Sequence, residues 1–243
     1  MKAIISITSI PSRFINLPMI LRDLSKQYID EIWVNIPYVY SRFPDTKVVI
    51  PREIYDIDKV VVNRCDDYGP STRYFAPIIN KCDADIMICV DDDTQYPEGL
   101  TKHLIVSYLT DKCCWGLSGF KIQEYVDKSP IPREHNRHVD VVEGYGGILV
   151  ELEWIRRIKD EFVELTGCTY NDDMIMSNLF SKYGITKKTY AHKDVWLGKI
   201  RQYQFGATED ALFYNNGEKT HYHNNVRIIN EFKKLGKYYF NND

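Results

Sequence analysis

An almost wholly apolar run, Ile86-Met87-Ile88-Cys89-Val90, stops on three consecutive carboxylates, Asp91, Asp92 and Asp93. Such a run reads as a central strand over 85–90, covered on both faces. Adjacent carboxylates repel one another, and holding them at the end of a buried strand costs stability unless a cation offsets the repulsion. Divalent Mg or Mn takes hard oxygen ligands and commonly joins protein carboxylates to substrate phosphates. In extended backbone alternate side chains share a face, so Asp91 and Asp93 point into one site and Asp92 elsewhere. A solvated acidic turn has the same composition. The carboxyl end of a strand, however, is where open α/β sheets bind ligands.

The segments around this strand alternate between strand and helix. Residues 3–8 read as a buried strand. Asn16 and Pro18 stand at helix-start positions, and Leu17, Ile20, Leu21 and Leu24 recur at helical spacing. Strands follow over 31–36, stopped by Pro37, and over 59–63. Residues 71–81 read as a helix with Tyr74, Phe75, Ile78 and Ile79 on one side. The alternation predicts an α/β fold: a Rossmann-like, mainly parallel sheet with helices on both faces. Beyond residue 100 the pattern is less regular. It predicts a helix over 97–109, a strand over 115–120, a long polar loop over 121–138, and strands over 139–142 and 148–150 flanking a glycine cluster. Helices follow over 152–165, 172–183 and 225–235.

With 243 residues, 44% hydrophobic and 27% charged, the chain has room for a large core. Its formal net charge is -3 and no Lys/Arg run is dense, which argues against nucleic acid or anionic lipid as a partner. The N-terminal apolar stretch is short and broken by hydroxyls, and no window approaches the roughly 18 apolar residues of a membrane span. The expectation is a soluble, cytoplasmic protein. Cys65, Cys82, Cys89, Cys113, Cys114 and Cys168 form no C-x-x-C pair, which suits free, buried thiols in a reducing compartment.

Two loops accompany the triplet at the same edge of the predicted sheet. Thr8-Ser9-Ile10-Pro11-Ser12-Arg13 follows the first strand, and its hydroxyls, backbone amides and arginine suit a nucleotide. Asp66-Asp67-Tyr68-Gly69-Pro70-Ser71-Thr72-Arg73 follows the third. Ser71 or Thr72 can cap the next helix, whose N-terminus favours anions. Arg73 then lies in the first helical turn, where a cation opposes the helix dipole unless an anion such as a diphosphate faces it.

Three elements of the second half bear on chemistry. Glu143-Gly144-Tyr145-Gly146-Gly147 permits close backbone approach to a ligand, or simply a bulge or tight turn. Tyr145 or Trp115 offers a stacking face for a sugar, or else belongs to the core. Asn171-Asp172-Asp173 opens a helix. Acidic residues are expected there for dipole reasons, and one of them, free while its neighbour is held by a hydrogen bond, would serve as a general base. In Thr220-His221-Tyr222-His223-Asn224 an extended backbone puts both histidines on one face, and His221 is the candidate to complete a metal site.

Taken together, these residues resemble the GT-A class of nucleotide-sugar glycosyltransferases. Val-Asp-Asp-Asp-Thr (90–94) looks like their D-x-D motif. Thr-Ser-Ile-Pro-Ser-Arg (8–13) and Asp-Tyr-Gly-Pro-Ser-Thr-Arg (67–73) resemble a subgroup found in large DNA viruses and some bacteria, which often carries Lys where Arg73 stands. The resemblance spans roughly residues 3–185. It implies one GT-A-like domain over 1–243, with a nucleotide-sugar-binding half (1–100) and an acceptor half (101–243) carrying a smaller mixed sheet. It implies a UDP-sugar donor, a glycan or other hydroxyl acceptor, and a Mn or Mg ion joining Asp93, with Asp91, to the donor diphosphate. Thr8, Ser9, Arg13, Asp67, Arg73, Asp91, Asp92 and Gly146 then belong to the donor site. Asp173 is the implied base, with Asp172 the runner-up, and transfer is inverting.

Three rivals share parts of this pattern. A nucleotidyltransferase of similar fold usually has a glycine-rich loop after the first strand; here that loop has no glycine. A phosphohydrolase with a nucleophilic aspartate needs that residue just after the first strand, where Thr8-Ser9 stand. A carbohydrate-binding module would be mostly antiparallel. An inactive relative would keep the fold without turnover.

Overall fold

A computed structural model describes residues 1–123, 136–165, 171–190, 200–207 and 221–240, without the side chains of 163, 164, 206, 207 and 221–224. Among these residues, ten strands and six helices position the site. The strands are β1 (Ala3–Thr8), β2 (Glu31–Pro37), β3 (Val60–Cys65), β4 (Ile86–Val90), β5 (Thr94–Gln95), β6 (Cys114–Phe120), β7 (Arg137–His138), β8 (Val141–Glu151), β9 (Lys187–Thr189) and β10 (Arg201–Gln202). The helices are α1 (Leu17–Ser25), α2 (Thr72–Ile79), α3 (Leu100–Thr110), α4 (Leu152–Glu164), α5 (Asp172–Lys182) and α6 (His221–Lys234).

Eight strands form one sheet in the order β3-β2-β1-β4-β8-β6-β9-β7. The first four are parallel, as the strand–helix alternation predicts. The strands of the second half extend this sheet in mixed directions, β8 antiparallel to both β4 and β6, β9 parallel to β6. β5 and β10 make a separate antiparallel pair.

Alternation along the central strands sorts the core onto two faces. Ile5, Ile7, Ile86, Ile88 and Val90 pack with Leu17, Leu21 and Leu104 of α1 and α3. Ile4, Met87 and Cys89 pack on the other side with Phe75, Ile155, Ile175 and Phe232 of α2, α4, α5 and α6. Every residue of β4 is buried, consistent with a strand covered on both faces.

The glycine cluster is a bulge within one strand rather than a break between two. β8 is a single strand running through Gly144, Gly146 and Gly147. Its register against β6 shifts between Gly116 and Ser118, and Gly147 takes a φ of 88°. The irregularity falls on the glycines: β6 pairs with residues 141–143 and 148–149 and β4 with 148–151, while 144–147 between them have no register partner among the described residues. α6 also begins earlier than expected, at His221, so residues 221–224 are helical and not extended. Two residues apart on a helix do not share a face. Most of the predicted 121–138 loop, and Cys168, lie outside the described residues. The five described cysteines are free and buried.

Candidate functional site

The strand order places β1 beside β4, with β2 and β3 on the far side of β1. The order in which successive strands are added reverses between β1 and β4, which opens a crevice at their carboxyl ends. The two loops that leave these strands therefore meet. Ser9 Oγ donates to Asp92 Oδ2 at 2.6 Å, and Arg13 Nη1 reaches Asp92 Oδ1 at 2.5 Å and Asp93 Oδ2 at 3.2 Å. Arg13 is carried by a 3-10 turn over Pro11–Asn16, and Tyr40 Oη donates to the Ser9 carbonyl at 2.7 Å. Asp92 points inward and is 6% exposed. Burial raises its pKa, opposed by Arg13 and Ser9. Thr8 sits one residue before this cluster and donates to the Asn35 carbonyl at 3.0 Å.

Arg73 reaches the same crevice from the opposite side of the sheet. The connection from β3 passes over β2 and β1 before entering β4, so α2 lies across them with Arg73 at its first turn. Arg73 Nη1 bonds Asp91 Oδ1, and Nη2 lies 2.8 Å from Asp172 Oδ2 and 3.5 Å from Asp173 Oδ1. An anion does face this cation, as dipole arguments require, but it is the protein's own aspartates. Neither expected hydroxyl caps the helix. Ser71 is at the N-cap without a side-chain bond, and the Thr72 hydroxyl accepts from Tyr68 N at 2.9 Å.

Asn171 caps α5 by accepting from Met174 N at 3.1 Å, which presents the next two residues to Arg73. Both carboxylates are engaged, so the expected division into one held and one free is not what is observed. Asp172 pairs with Arg73, while Asp173 Oδ2 accepts from Gly144 N at 2.8 Å. Among the described residues Asp173 Oδ1 accepts no hydrogen bond. Burial pushes the Asp173 carboxyl well up and the charge of Asp172 adds to this; Arg73 and the Gly144 amide oppose it.

Asp93 is held differently. Its side chain lies between Arg13 and Gln202, whose Nε2 is 3.4 Å from Oδ2, and its carbonyl accepts from Tyr203 N at 2.7 Å. Burial, then the charges of Asp91 and Asp92, raise it to about 6. Among the described residues, two guanidinium groups thus meet five carboxylates at one sheet edge. The imbalance leaves room for a cation. No group of three or more His, Cys, Asp or Glu side chains arranged to hold a metal ion occurs among those residues.

Asp67 shapes the loop before α2: its carboxylate accepts from Ser41 N at 2.7 Å and Gly69 N at 2.9 Å. A Cβ on Gly146 would meet Leu117 Cβ at 2.7 Å, whereas one on Gly144 would press on the Arg73 guanidinium and on Asp173 Oδ1. Gly144 is therefore the glycine that lets β8 approach these groups. Trp115 is core, its indole donating to the Asp111 carbonyl. The His221 side chain lies outside the described residues. Tyr96 is a site residue that sequence reasoning misses. Its hydroxyl accepts from Asp91 N at 2.8 Å and donates to the Tyr145 carbonyl at 3.2 Å, joining the triplet to the glycine strand. Its place five residues after Asp91 carries no signal of this.

No protein-family model matches the chain, and no curated protein sequence matches it. Solved structures match it by fold. The crystal structure of S. aureus TarS 1–349 in complex with UDP gives a TM-score of 0.52 at 12% identity, covering 81% of this chain and 59% of that one. The complex of the same fragment with UDP-GlcNAc gives 0.51 at 13%, covering 81% and 57%. The structure of S. aureus TarS gives 0.53 at 12%, covering 96% and 43%. This chain spans less than two thirds of each of these TarS chains. The likeness is one of fold, a GT-A-like α/β arrangement with a mixed, mainly parallel sheet. No helix among the described residues is long and apolar enough to cross a membrane.

Proposed function

We propose that this chain is a glycosyltransferase that moves a sugar from a nucleotide-diphosphate donor, a UDP-sugar, to a hydroxyl of a glycan or similar acceptor. The observation that carries the reading is the convergence of Ser9, Arg13, the triplet Asp91–Asp93, Arg73 and the Asp172–Asp173 pair at the β1/β4 switch point. It is supported by the likeness of fold to TarS, a protein solved with UDP and with UDP-GlcNAc. In this reading residues 1–100 hold the donor and 101–243 the acceptor, with Thr8, Asp67 and Gly146 shaping the donor site.

Arg13 exchanges Asp93, and Arg73 exchanges Asp91, for donor phosphates, for which a planar guanidinium is well matched. Asp93 and Asp91 supply hard oxygens, and the surplus of carboxylates fits a Mn or Mg ion, which binds through one or two carboxylates and substrate phosphates without a closed protein cage. His221 is a further candidate ligand. A divalent ion bound there would neutralise charge on the departing diphosphate. Asp173 takes the proton of the acceptor hydroxyl: its Oδ1, which accepts no hydrogen bond among the described residues, is the accepting atom. Asp172 keeps Arg73 oriented. A base on the acceptor side fits inversion.

Calorimetry with UDP and GDP, with and without Mn, on wild type and Asp93→Ala tests the donor site. UDP binding that needs Mn, with Asp93→Ala losing that dependence, supports the reading. Absence of binding to either nucleotide overturns it. Release of pyrophosphate from a nucleoside triphosphate in place of sugar transfer would point to nucleotidyl transfer.

A further inference from the structure

Helix α2 contains a proline, Pro77, four residues after Arg73. In an α-helix each N–H serves the carbonyl four residues earlier. Proline has no N–H and its ring presses on that carbonyl. The Arg73 carbonyl therefore lacks its intrahelical partner at a buried position. Two donors from the sheet point at it instead: Ser6 Oγ of β1 at 2.5 Å and Cys89 Sγ of β4 at 3.8 Å. Ser6 and Cys89 are register partners, so both side chains rise from the same face toward α2.

The stronger donor is itself held. Asn35 Nδ2 donates to Ser6 Oγ at 2.8 Å, Asn63 Nδ2 donates to Asn35 Oδ1 at 2.8 Å, and Asn80 Nδ2 donates to Asn63 Oδ1. Asn80 is the residue that ends α2. This hydrogen-bond chain leaves the last turn of α2, crosses β3, β2 and β1, and returns to its first turn. Ser6 and Asn35 are each 0% exposed. Polar groups so deep in a sheet cost stability unless paired, and here they end on the one carbonyl that Pro77 vacates.

We infer that Ser6 is a positioning residue for Arg73. Its hydroxyl replaces the amide that Pro77 lacks and ties the Arg73 backbone to β1, the strand whose loop carries Ser9 and Arg13. The placement of the guanidinium is then referred to the sheet rather than to the helix. The inference rests on the proposed role of Arg73 toward a diphosphate.

The test is a cycle of Ser6→Ala, Pro77→Ala and the double variant, with UDP affinity measured calorimetrically in Mn at a temperature where all are folded. Urea unfolding runs in parallel. Ser6→Ala is expected to weaken UDP binding about tenfold, and Pro77→Ala alone to stay within about twofold. The double variant regains wild-type affinity to within about threefold, because the backbone N–H restored by Pro77→Ala now serves the Arg73 carbonyl. If Ser6→Ala does not fold, recovery of folding in the double variant carries the same signature. Wild-type affinity in Ser6→Ala, or a loss that persists undiminished in the double variant, overturns the inference. If the wild type binds no UDP, the diphosphate reading falls separately. The unfolding cycle then decides the hydrogen-bond exchange: a Ser6→Ala loss cancelled by Pro77→Ala supports it, and additive losses overturn it.

Discussion

The Arg73 guanidinium lies 2.8 Å from the Asp172 carboxylate, a partner 99 positions later in the chain. The pair joins the first turns of α2 and α5, and both side chains are at most 10% exposed. Removing one member of a buried ion pair leaves the other charged without compensation. Arg73→Ala is expected to lower the unfolding free energy by about 3 kcal/mol or more. Arg73→Lys keeps the charge but not the forked contacts to Asp91 and Asp172, and should fall between. Urea denaturation measures both; a loss under about 1 kcal/mol for Arg73→Ala would place the pair in the class of solvated surface bridges.

Gly144 and Gly146 make a contrast within one strand. Gly144→Ala pushes on Arg73 and on Asp173 Oδ1, 2.7 Å from the added carbon. It should weaken UDP binding about tenfold or more by displacing the guanidinium. Gly146→Ala presses on Leu117 instead and should act on stability, by about 1–3 kcal/mol, as overpacking does. Calorimetry and thermal unfolding on both variants separate the two effects. Equal loss of UDP affinity in both would remove the special role of Gly144.

Asp173→Asn keeps the shape of the side chain and its contact with the Gly144 amide, but not its basicity. With a sugar donor and acceptor in hand, turnover should drop about 100-fold or more, while UDP affinity changes far less. Asp172→Asn should perturb both, since it loosens Arg73. Turnover of Asp173→Asn close to wild type would transfer the base to another group.

Lys187 offers a pH test away from the site. It is 6% exposed, and its ammonium donates to the Ser177 carbonyl at 3.1 Å and to Ser181 Oγ at 2.6 Å. Burial pushes it down from 10.5 to about 8, with Cys114 and Asp140 opposing and Lys121 assisting. Below about pH 8 both folded and unfolded chains carry this proton, and the burial penalty is fully present. Between about 8 and 10.5 the folded chain holds fewer protons, so the contribution of Lys187 to stability rises with pH. The unfolding free energy of wild type minus that of Lys187→Met should therefore climb from pH 8 to 10, by up to roughly 1.4 kcal/mol per unit. A flat difference over that range would mean that Lys187 titrates as an exposed lysine.

Much of the first hundred residues is legible in the sequence, because their information is local. The apolar run of β4 and the helical spacing of Leu17, Ile20, Leu21 and Leu24 each fall within a few turns of chain. The triplet's placement at a carboxyl edge follows from the strand it ends. The expected sharing of one face by Asp91 and Asp93 does not hold: β4 ends at Val90 and residues 92 and 93 lie in a turn, so the two-residue period of extended backbone stops there, and Asp93 shares Arg13 with Asp92 while Asp91 meets Arg73. The glycine segment is ambiguous to a local reading because a bulge and a break between two strands share its composition, and only the pairing of the residues on either side of it shows one bulged strand.

What the sequence by itself determined is therefore the set of elements and the kinds of groups at their ends: hydroxyls and an arginine after β1, an arginine in the first turn of α2, three carboxylates after β4 and two opening α5. Which group meets which was decided by tertiary structure. Strand order puts β1 against β4 and so gives Asp92 to Ser9 and Arg13 across 83 and 79 positions. The path of α2 over the sheet gives Arg73 to Asp91, and the approach of β8 gives Gly144 to Asp173. Local propensity acts over a few residues, whereas these pairings are set by how whole elements pack to bury their apolar faces, and that is a property of the assembled chain.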